Sequence, residues 1–312
     1  MKIIAVEPIG MSSAQMSFYE KQFARMGHQF IWFPDRKEDP EILIQRMRYA
    51  DVVIISNIRL DSKTIAACTN LKMLAVAYNG LDHIDTEYCE EQGIPVYNAS
   101  GYARHAVAEL ALGLMISLYR QINVMDSITR KGGTRGDFLG RQIHGKTVGV
   151  VGIGGIGKVV ARNLQALGCN IIAWGRREDE EVKKMGVEYV DLDALMSTAD
   201  IVTLHLPLTQ ATENLISADR INLMKSSAIL INTARGKIVD IPALALALKE
   251  KRIAGAAFDV FEIEPPLPQS HPLLNAPNCI VVPHIAYATQ EAFELRIEIV
   301  MEKVMKWLEN NR

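Results

Sequence analysis

The sequence predicts an α/β protein with two domains, each built on a parallel β-sheet. Its 312 residues exceed the size of one typical hydrophobic core. Short apolar runs typical of strands alternate with helical patterns along the whole chain. In addition, residues 147–157 join an apolar strand to a helix through closely spaced glycines. Together these three observations favour repeated βαβ units over an all-helical or all-β fold.

In the first half of the chain, apolar runs predict strands and the segments between them predict helices. The strands are expected at residues 3–6, 29–33, 52–56, 73–77 and 95–97, and the helices at 12–26, 40–49, 62–68 and 85–92. Because a helix separates successive strands, the strands are expected to run parallel in one sheet.

A second series of strands and helices begins near residue 146. Strands are expected at residues 148–151, 170–174, 201–205, 228–232, 255–258 and 280–282, with helices between them that include 158–167 and 241–249. Before this series, residues 106–118 predict a buried helix and residues 131–136 a loop. A last helix is expected at residues 290–308, and local pattern does not assign it to either sheet.

Composition and charge exclude several classes of protein. The net charge of −2, with both signs interspersed, argues against a nucleic-acid partner. The four cysteines are widely spaced, and no His, Cys or carboxylate cluster has the spacing of metal ligands, so neither a disulfide framework nor a metal site is expected. The longest apolar stretch carries Glu109 and is too short to cross a bilayer, and residues 1–6 lack a signal-peptide core. We expect a soluble, cytoplasmic protein without a membrane partner.

The glycine-rich turn is the strongest local motif in the chain. Gly152, Gly154 and Gly157 have the GxGxxG spacing between a strand and a helix. This arrangement allows a tight turn, close backbone approach to a pyrophosphate, and helix N–H groups directed at its phosphates. A merely tight turn is the alternative, but the flanking strand and helix favour a dinucleotide-binding, Rossmann-type domain.

The residues after the next strand bear on the choice of cofactor. NAD-binding folds carry an acidic residue about 20 positions beyond the glycines, whereas Arg176 and Arg177 stand at this strand end. Two guanidinium groups suit the 2′-phosphate of NADP(H). The alternative is a solvated pair beside the acidic residues 178–181. We therefore favour NADP(H), with NAD(H) as the alternative.

Three later strands are followed by polar residues suited to catalysis. Arg235 follows one strand, Asp259 and Glu264 lie in the loop after the next, and His284 follows another. In open α/β sheets, ligands bind beyond the carboxyl ends of the strands, so these side chains are expected to converge.

These segments, together with residues 78–85 and 200–212, resemble the D-isomer-specific 2-hydroxyacid dehydrogenase family, in its glyoxylate/hydroxypyruvate reductase-like branch. The resemblance covers essentially the whole chain. It implies that residues 1–99 and 288–312 form a substrate domain, flavodoxin-like in its parallel sheet, into which a dinucleotide-binding domain of residues 100–287 is inserted.

Residue chemistry agrees with the roles that this resemblance implies. Reducing a 2-keto acid requires a hydride at the keto carbon, a proton for its oxygen and a cation for the carboxylate. Arg235 offers a planar, two-pronged donor to the carboxylate and keto oxygen. His284 would exchange the proton, and Glu264 would fix its ring and favour the imidazolium.

The resemblance also implies residues that contact cofactor and substrate. Asp259 would hold the nicotinamide carboxamide, and main-chain groups at Tyr78, Asn79 and Gly80 would join Arg235 and His284 in binding the substrate. Further candidates for the substrate side chain are Met11, Arg59 and Tyr287. The remaining expected cofactor contacts are Gly155, Ile156, His205, Leu206, Pro207, Thr212, Thr233, Ala234 and Ala286.

The sequence therefore predicts an oxidoreductase that transfers a hydride between NADPH and a small 2-keto acid such as glyoxylate or hydroxypyruvate. A phosphite- or formate-type dehydrogenase on the same fold is one alternative, and formate enzymes have an amide where Glu264 stands. A dinucleotide-sensing regulatory protein is another, by analogy of fold. A homodimer formed through the helix at 106–118 is expected by resemblance, with an internal core helix as the alternative.

Overall fold

The computed structural model describes residues 1–311 and divides them into two compact units. The first comprises residues 1–103 and 288–311, and the second comprises residues 104–287. The first boundary therefore lies a few residues beyond the expected one at 99/100, and the second lies at the expected position. Among residues 1–311, no helix is both long and apolar enough to cross a bilayer.

The first unit is a five-stranded parallel sheet with strand order β2-β1-β3-β4-β5. This is the flavodoxin-like order expected when helices cover both faces of the sheet. Its strands are β1 (Lys2–Ala5), β2 (Gln29–Trp32), β3 (Val52–Ile55), β4 (Met73–Val76) and β5 (Val96–Asn98), and its helices are α1 (Ser13–Arg25), α2 (Pro40–Met47), α3 (Ser62–Ala66), α4 (Thr86–Glu91) and α12 (Gln290–Asn310).

Side-chain capping fixes where the helices of this unit begin. Ser12 caps α1 in a reciprocal arrangement with Gln15, and the carboxylates of Asp39, Asp61 and Asp85 accept backbone N–H groups at the starts of α2, α3 and α4. Each cap satisfies donors that a helix N-terminus leaves unpaired. The connections from strand to helix are therefore well defined.

The second unit is a seven-stranded parallel sheet with strand order β12-β11-β10-β9-β6-β7-β8. The order reverses beside β6, which is the topological switch point where such sheets bind ligands. Its strands are β6 (Thr147–Val151), β7 (Asn170–Trp174), β8 (Glu188–Tyr189), β9 (Ile201–Leu204), β10 (Ile229–Asn232), β11 (Gly255–Phe258) and β12 (Cys279–Val281); its helices are α5 (Arg104–Arg120), α6 (Ile122–Arg130), α7 (Gly155–Ala166), α8 (Glu180–Lys184), α9 (Leu192–Thr198), α10 (Ala218–Leu223) and α11 (Ile241–Lys249).

The strands expected from sequence all form, with ends that differ by at most one residue, and α11 has the expected bounds. Helix α7 begins at Gly155 rather than at residue 158, because the glycines themselves form its first turn. The short strand β8 and the helices α6, α8, α9 and α10 were not individually located. Strand β8 and helices α8, α9 and α10 have only two to seven residues, too few to give a clear hydrophobic period. Helix α6 is longer and amphipathic, so its pattern is present in the sequence.

Helix α5 is a core helix of the second unit. Ala108, Ala111, Met115 and Leu118 are buried and pack in one cluster with residues of α7 and the sheet, including Val150. This face of α5 therefore packs in the interior of the second unit. An internal core helix was the alternative to the expected dimer interface. In the first unit, α12 packs against β4 and β5 and buries Ile297, Val300, Met301 and Val304.

Candidate active site

The expected site residues of the second unit lie at one edge of its sheet. Because every strand pair in the sheet is parallel, the carboxyl ends of all its strands share that edge. The glycine turn follows β6, Arg235 follows β10, Asp259 follows β11 and His284 follows β12. The predicted placement of the polar groups after neighbouring strands is therefore observed.

Each glycine of the motif has a different local environment. Gly152 has φ +92°, and a methyl group added there would lie 2.7 Å from the carbonyl oxygen of His205. A methyl group at Gly157 would overlap the carbonyl of Gly152, so this glycine allows the helix to pack on the strand. At Gly154, by contrast, the added methyl would meet no atom within 4 Å. The second glycine thus borders open space, as a backbone that a pyrophosphate approaches should.

The N-terminus of α7 carries a positive group that the sequence did not reveal. The N-cap residue Gly154 provides no side-chain acceptor for the first N–H groups of the helix. Beside it lies the exposed side chain of Arg104, whose Nε would be 3.0 Å from a methyl group on Gly155. A cation next to a positive helix end is unfavourable unless an anion lies between them. This arrangement therefore suits a bound phosphate group.

The loop after β9 closes against the glycine turn. A side-chain atom of Leu206 would lie 2.6 Å from a methyl group on Gly152, close to the carbonyl of His205. The Thr212 hydroxyl is used within this loop, where it donates to the carbonyl of Pro207 at 2.7 Å and accepts from the amide of Thr209 at 2.8 Å. Thr212 thus supports the loop, while His205 and Leu206 border the turn through their own atoms.

His205 is held as a neutral imidazole. Its Nε2 lies 2.9 Å from the Thr203 hydroxyl, and its Nδ1 is buried without a protein partner. Burial lowers the pKa of His205 to about 3. The residue as a whole retains some exposed surface, but its Nδ1 atom is enclosed. The side chain cannot serve as a cation at neutral pH.

The two arginines after β7 are exposed and have no carboxylate partner among residues 1–311. The acidic residues that follow them pair elsewhere: Asp179 and Glu181 with Lys158, and Glu178 with Lys183. The alternative in which residues 178–181 neutralise Arg176 and Arg177 therefore does not describe this structure. Both guanidinium groups remain available to an anion at this strand end.

A buried asparagine shapes the turn that carries Arg235. The Asn232 side chain is fully buried, accepts from the amide of Ala234 at 3.0 Å and donates to the carbonyl of Arg235 at 2.9 Å. Gly236 permits the next contact, since a methyl group there would overlap the backbone of Phe261. The turn therefore packs against the start of the loop that carries Glu264. Sequence patterns placed Arg235 at a strand end but did not single out Asn232.

Within the same turn, Thr233 has a buried hydroxyl oxygen without a protein partner. Ala234 beside it is also buried. Buried hydroxyl groups in proteins are normally hydrogen-bonded, so an unpaired one at the ligand-binding edge of the sheet is consistent with a ligand contact.

Asp259 fastens the segment that contains His284. One carboxylate oxygen accepts from the amide of Ile285 at 2.6 Å and the other from the amide of Ala286 at 2.9 Å. The amide of His284 donates to the Asp259 carbonyl at 2.8 Å. Burial raises the pKa of Asp259, and the two amide donors oppose that shift. The contacts recorded for this carboxylate are with the histidine loop, a role that the sequence did not reveal.

His284 and Glu264 form a close pair. The Nδ1 atom of His284 lies 2.9 Å and 3.1 Å from the two carboxylate oxygens of Glu264. The imidazole side chain is 18% exposed and the carboxylate 69% exposed. His284 has φ +54°, a strained conformation for a residue with a side chain, and its ring meets the Tyr287 ring edge-on at 5.4 Å. The loop thus holds the ring in one defined orientation.

The predicted substrate-binding loop lies in the first unit, after β4. The side-chain oxygen of Asn79 accepts from the amide of Gly101 at 3.3 Å. The main-chain carbonyl of Asn79 accepts from the Asn98 side chain at 2.6 Å. Tyr78 is half-buried, with its ring 6.1 Å from that of His83. The side chain of Asn79 therefore helps to hold this loop in place. Gly80 is the next residue of the loop.

The other histidines have structural contacts or exposed positions. His271 caps a short 3₁₀ helix and approaches Glu262 at 3.2 Å, while His144 lies 3.2 Å from the carbonyl of Leu167. His83 contacts the carbonyl of Ser56, and His28 contacts the N-terminal amine. His105 is exposed. In the part of the chain that the structure describes, no group of three or more His, Cys, Asp or Glu residues could hold a metal ion.

Comparison with known proteins assigns the chain to a class. The family of D-isomer-specific 2-hydroxyacid dehydrogenases matches residues 112–286 through its NAD-binding domain. A glyoxylate reductase of Thermofilum pendens is 39% identical over 88% of this chain and 82% of its own length. A solved glyoxylate reductase of Paecilomyes thermophila has a TM-score of 0.89 and 29% identity, covering all of this chain (100%) and 96% of its own.

A second solved structure, an acyclic imino acid reductase in complex with NADPH and D-Arg, also has a TM-score of 0.89 at 29% identity and covers 99% of this chain and 98% of its own. The fold and the site thus define an oxidoreductase that uses a nicotinamide cofactor. More specifically, the chain belongs to the D-isomer-specific 2-hydroxyacid dehydrogenase family.

Proposed function

We propose that this protein is an NADPH-preferring reductase of small 2-keto acids, with glyoxylate and hydroxypyruvate as its first candidates. The observation that carries the proposal is the contact of His284 Nδ1 with Glu264. This contact joins the segments that follow β12 and β11, and the neighbouring strand β10 is followed by Arg235. Relatives named glyoxylate reductase support the choice of a short substrate.

The proposed mechanism assigns one task to each of three side chains. When bound, the cofactor supplies the hydride that adds to the keto carbon. Arg235 binds the substrate carboxylate and the keto oxygen through its planar donors. His284 gives the keto oxygen its proton from Nε2, while Glu264 holds Nδ1 and stabilises the imidazolium. In the reverse direction, the same imidazole accepts the hydroxyl proton.

The remaining proposed contacts follow the two units. In the second, the first N–H groups of α7, at Gly155, Ile156 and Gly157, would hold the pyrophosphate with help from Arg104. The His205–Pro207 backbone, Thr233 and Ala234 would line the cofactor. Asp259 would act by positioning His284 and Ala286, in addition to any contact with the carboxamide. In the first, main-chain groups at Tyr78, Asn79 and Gly80 would bind the substrate carboxylate.

The preference for NADPH rests on Arg176 and Arg177. Both are exposed at the end of β7, and neither has a carboxylate partner in the described chain. We expect the double variant Arg176→Ala/Arg177→Ala to raise KM for NADPH by about tenfold or more, because charge-assisted hydrogen bonds to phosphate are among the stronger ones. KM for NADH should change little. Equal loss with both cofactors would contradict the proposed 2′-phosphate contact.

The substrate class is tested by following NADPH oxidation with a panel of oxyanions. Glyoxylate and hydroxypyruvate should be reduced with the highest kcat/KM, and longer 2-keto acids less well. Oxidation of phosphite or formate with NADP⁺, without keto-acid reduction, would favour the alternative dehydrogenases. Tight NADPH binding without turnover of any substrate would favour a regulatory binding protein.

A homodimer is also part of the proposal. Helix α6 buries none of its side chains within the described chain, and Ile122, Val124 and Leu139 are 48%, 51% and 82% exposed. A second copy covering this apolar surface would remove it from water. Light scattering at micromolar concentration tests this, and a mass of one chain would contradict it.

A cytoplasmic location is proposed because all four cysteines are free thiols, and cell fractionation tests that location.

A further inference from the structure

A polar cavity of about 440 Å³ that is open to solvent lies in the second unit, and its lining includes three cations. Arg120, Arg141 and Lys146 line it together with Gly140 and Gln142. No carboxylate belongs to this lining in the described residues. The volume lies in the range of small-molecule sites. A cavity with three positive charges stands out in a chain whose net charge is −2.

This cavity lies at the opposite edge of the sheet from the candidate active site. Lys146 immediately precedes β6, whereas Gly152 immediately follows it. At the rise of a β-strand, these two positions are about 20 Å apart. Arg141 contacts Ser227, which lies just before β10, whereas Arg235 follows that strand. The cavity is therefore at the amino ends of the strands and is separate from the cofactor-binding edge.

Backbone hydrogen bonds fix the main chain that carries the three cations. Arg120 ends helix α5, and the amide of Arg141 donates to the carbonyl of Tyr119 at 2.9 Å. Gly140 allows this close approach, since a methyl group there would lie 3.0 Å from that same carbonyl oxygen. The amide of Lys146 closes a turn onto Ile143, and its carbonyl accepts from Asn170. The backbone frame of the site is thus formed before any ligand binds, and the Arg141 side chain is held by its contact with Ser227.

The two guanidinium charges have no carboxylate partner in the described protein. Arg141 donates from Nη1 to the carbonyl of Ser227 at 2.8 Å, a contact that leaves its charge uncompensated. Neither Arg120 nor Lys146 has an ion pair within residues 1–311. The nearby carboxylate of Asp200 is paired with Lys225 at 3.0 Å and accepts from the amide of Thr147. The charge of Lys146 also acts on Asp200 and helps to lower its pKa, so this carboxylate offsets part of the Lys146 charge. Three like charges around one cavity repel each other, and an anion would relieve that repulsion.

We propose that this cavity, the Arg120–Arg141–Lys146 cavity, binds a small oxyanion with two or more negative charges. Two guanidinium groups and one ammonium group match phosphate or carboxylate oxygens. A single phosphate ion is smaller than the cavity, so a diphosphate or a polycarboxylate fits it better. This proposal is independent of the substrate and of the cofactor preference, because it concerns different residues at the other edge of the sheet.

The test is calorimetric titration of the NADPH-saturated protein with pyrophosphate and, separately, with citrate. Saturating NADPH keeps these probes away from the N-terminus of α7, and sodium chloride keeps the ionic strength constant. The two probes distinguish a phosphate ligand from a carboxylate ligand. We expect one-to-one binding of at least one of them by the wild-type protein.

Charge-neutralising variants assign that binding to the cavity. Arg141→Gln/Lys146→Gln should weaken binding by about tenfold or more, with circular dichroism used to verify the fold. Arg120→Gln is a second variant that leaves the contact of Arg141 with Ser227 in place. Lys184→Gln/Lys249→Gln is the matched control, because it removes two exposed charges of the same unit outside the cavity, and it should leave binding unchanged.

Two outcomes would overturn the proposal. One is absence of binding by both probes, and another is equal weakening in the control variant, which would indicate general charge screening. If neither probe binds and Arg141→Gln/Lys146→Gln also changes the molecular mass, the cavity is instead part of a contact between copies. Because binding is measured without turnover, none of these results depends on the proposed reaction.

Discussion

At the scale of single residues, the orientation of His284 results from contacts on both sides of its ring and backbone. Glu264 holds Nδ1, while Asp259 accepts the two amides that follow His284 in sequence. Because His284 has a positive φ, its conformation is strained and needs this support. The proposed proton donor is thus positioned by two carboxylates with different tasks.

Replacing His284 tests the proton-transfer role. His284→Asn should lower kcat by about two to four orders of magnitude, the usual contribution of acid–base catalysis, while NADPH binding measured by fluorescence is retained. His105→Asn is the matched control, because His105 is an exposed histidine of the same unit. Turnover near that of the wild type in a folded His284→Asn variant would exclude this role.

Replacing Asp259 separates positioning from direct chemistry. An asparagine keeps one carbonyl acceptor, but its amide nitrogen cannot accept from the second backbone amide. Asp259→Asn should therefore lower kcat by about tenfold or more and lower the free energy of unfolding by about 1–3 kcal/mol. Denaturant titration and steady-state kinetics measure the two effects. A variant with both quantities unchanged would show that the loop does not need this carboxylate.

The lowered pKa of His205 predicts that the free energy of unfolding depends on pH. Its folded-state pKa is lowered to about 3 by burial, below the value of about 6.5 expected in the unfolded chain. Stability from the neutral ring is therefore complete above about pH 6.5 and is lost as the pH falls towards 3. Urea unfolding at pH 7 and pH 5 should show a smaller loss in His205→Gln than in the wild type, by about 1–2 kcal/mol. An identical loss would mean that the ring titrates normally.

At the scale of elements, the turn from β6 to α7 shows that the three motif glycines are not equivalent. Gly152 and Gly157 permit contacts of backbone with backbone, while Gly154 borders open space. The first and third glycines are therefore needed for the fold of the turn, and the second is needed only when a ligand is present.

Two alanine substitutions test this division. Gly154→Ala has a compatible φ of −75° and should leave Tm nearly unchanged while weakening NADPH binding by about tenfold or more, because the methyl group would occupy the space of the pyrophosphate. Gly157→Ala should lower Tm clearly, since its methyl group would overlap the Gly152 carbonyl. The same thermal shift in both variants would contradict the distinction.

At the scale of the whole molecule, the sequence predicted the two parallel sheets because strongly apolar runs such as β3 and β9 are buried along their full length. It also predicted that Arg235, Asp259, Glu264 and His284 follow neighbouring strands. These features depend on local pattern and on the rule that parallel strands share their carboxyl edge.

Features that depend on contacts between distant segments were not predicted. Arg104 lies beside the N-terminus of α7, although α5, α6 and β6 separate the two in the sequence. Nothing in the local pattern around Arg104 reveals that contact. The two amide contacts of Asp259 and the turn supported by Asn232 are likewise set by tertiary packing. The short strand β8, with only two residues, is too brief to give a period.

The most direct test of the catalytic proposal is a crystal structure of the protein with NADPH and oxamate, a stable analogue of a 2-keto acid. The proposal predicts that the oxamate carboxylate lies against the Arg235 guanidinium, and that its amide carbonyl oxygen is within hydrogen-bond distance of His284 Nε2. Oxamate bound away from both residues, with NADPH at full occupancy in its site, would contradict the proposed roles of Arg235 and His284.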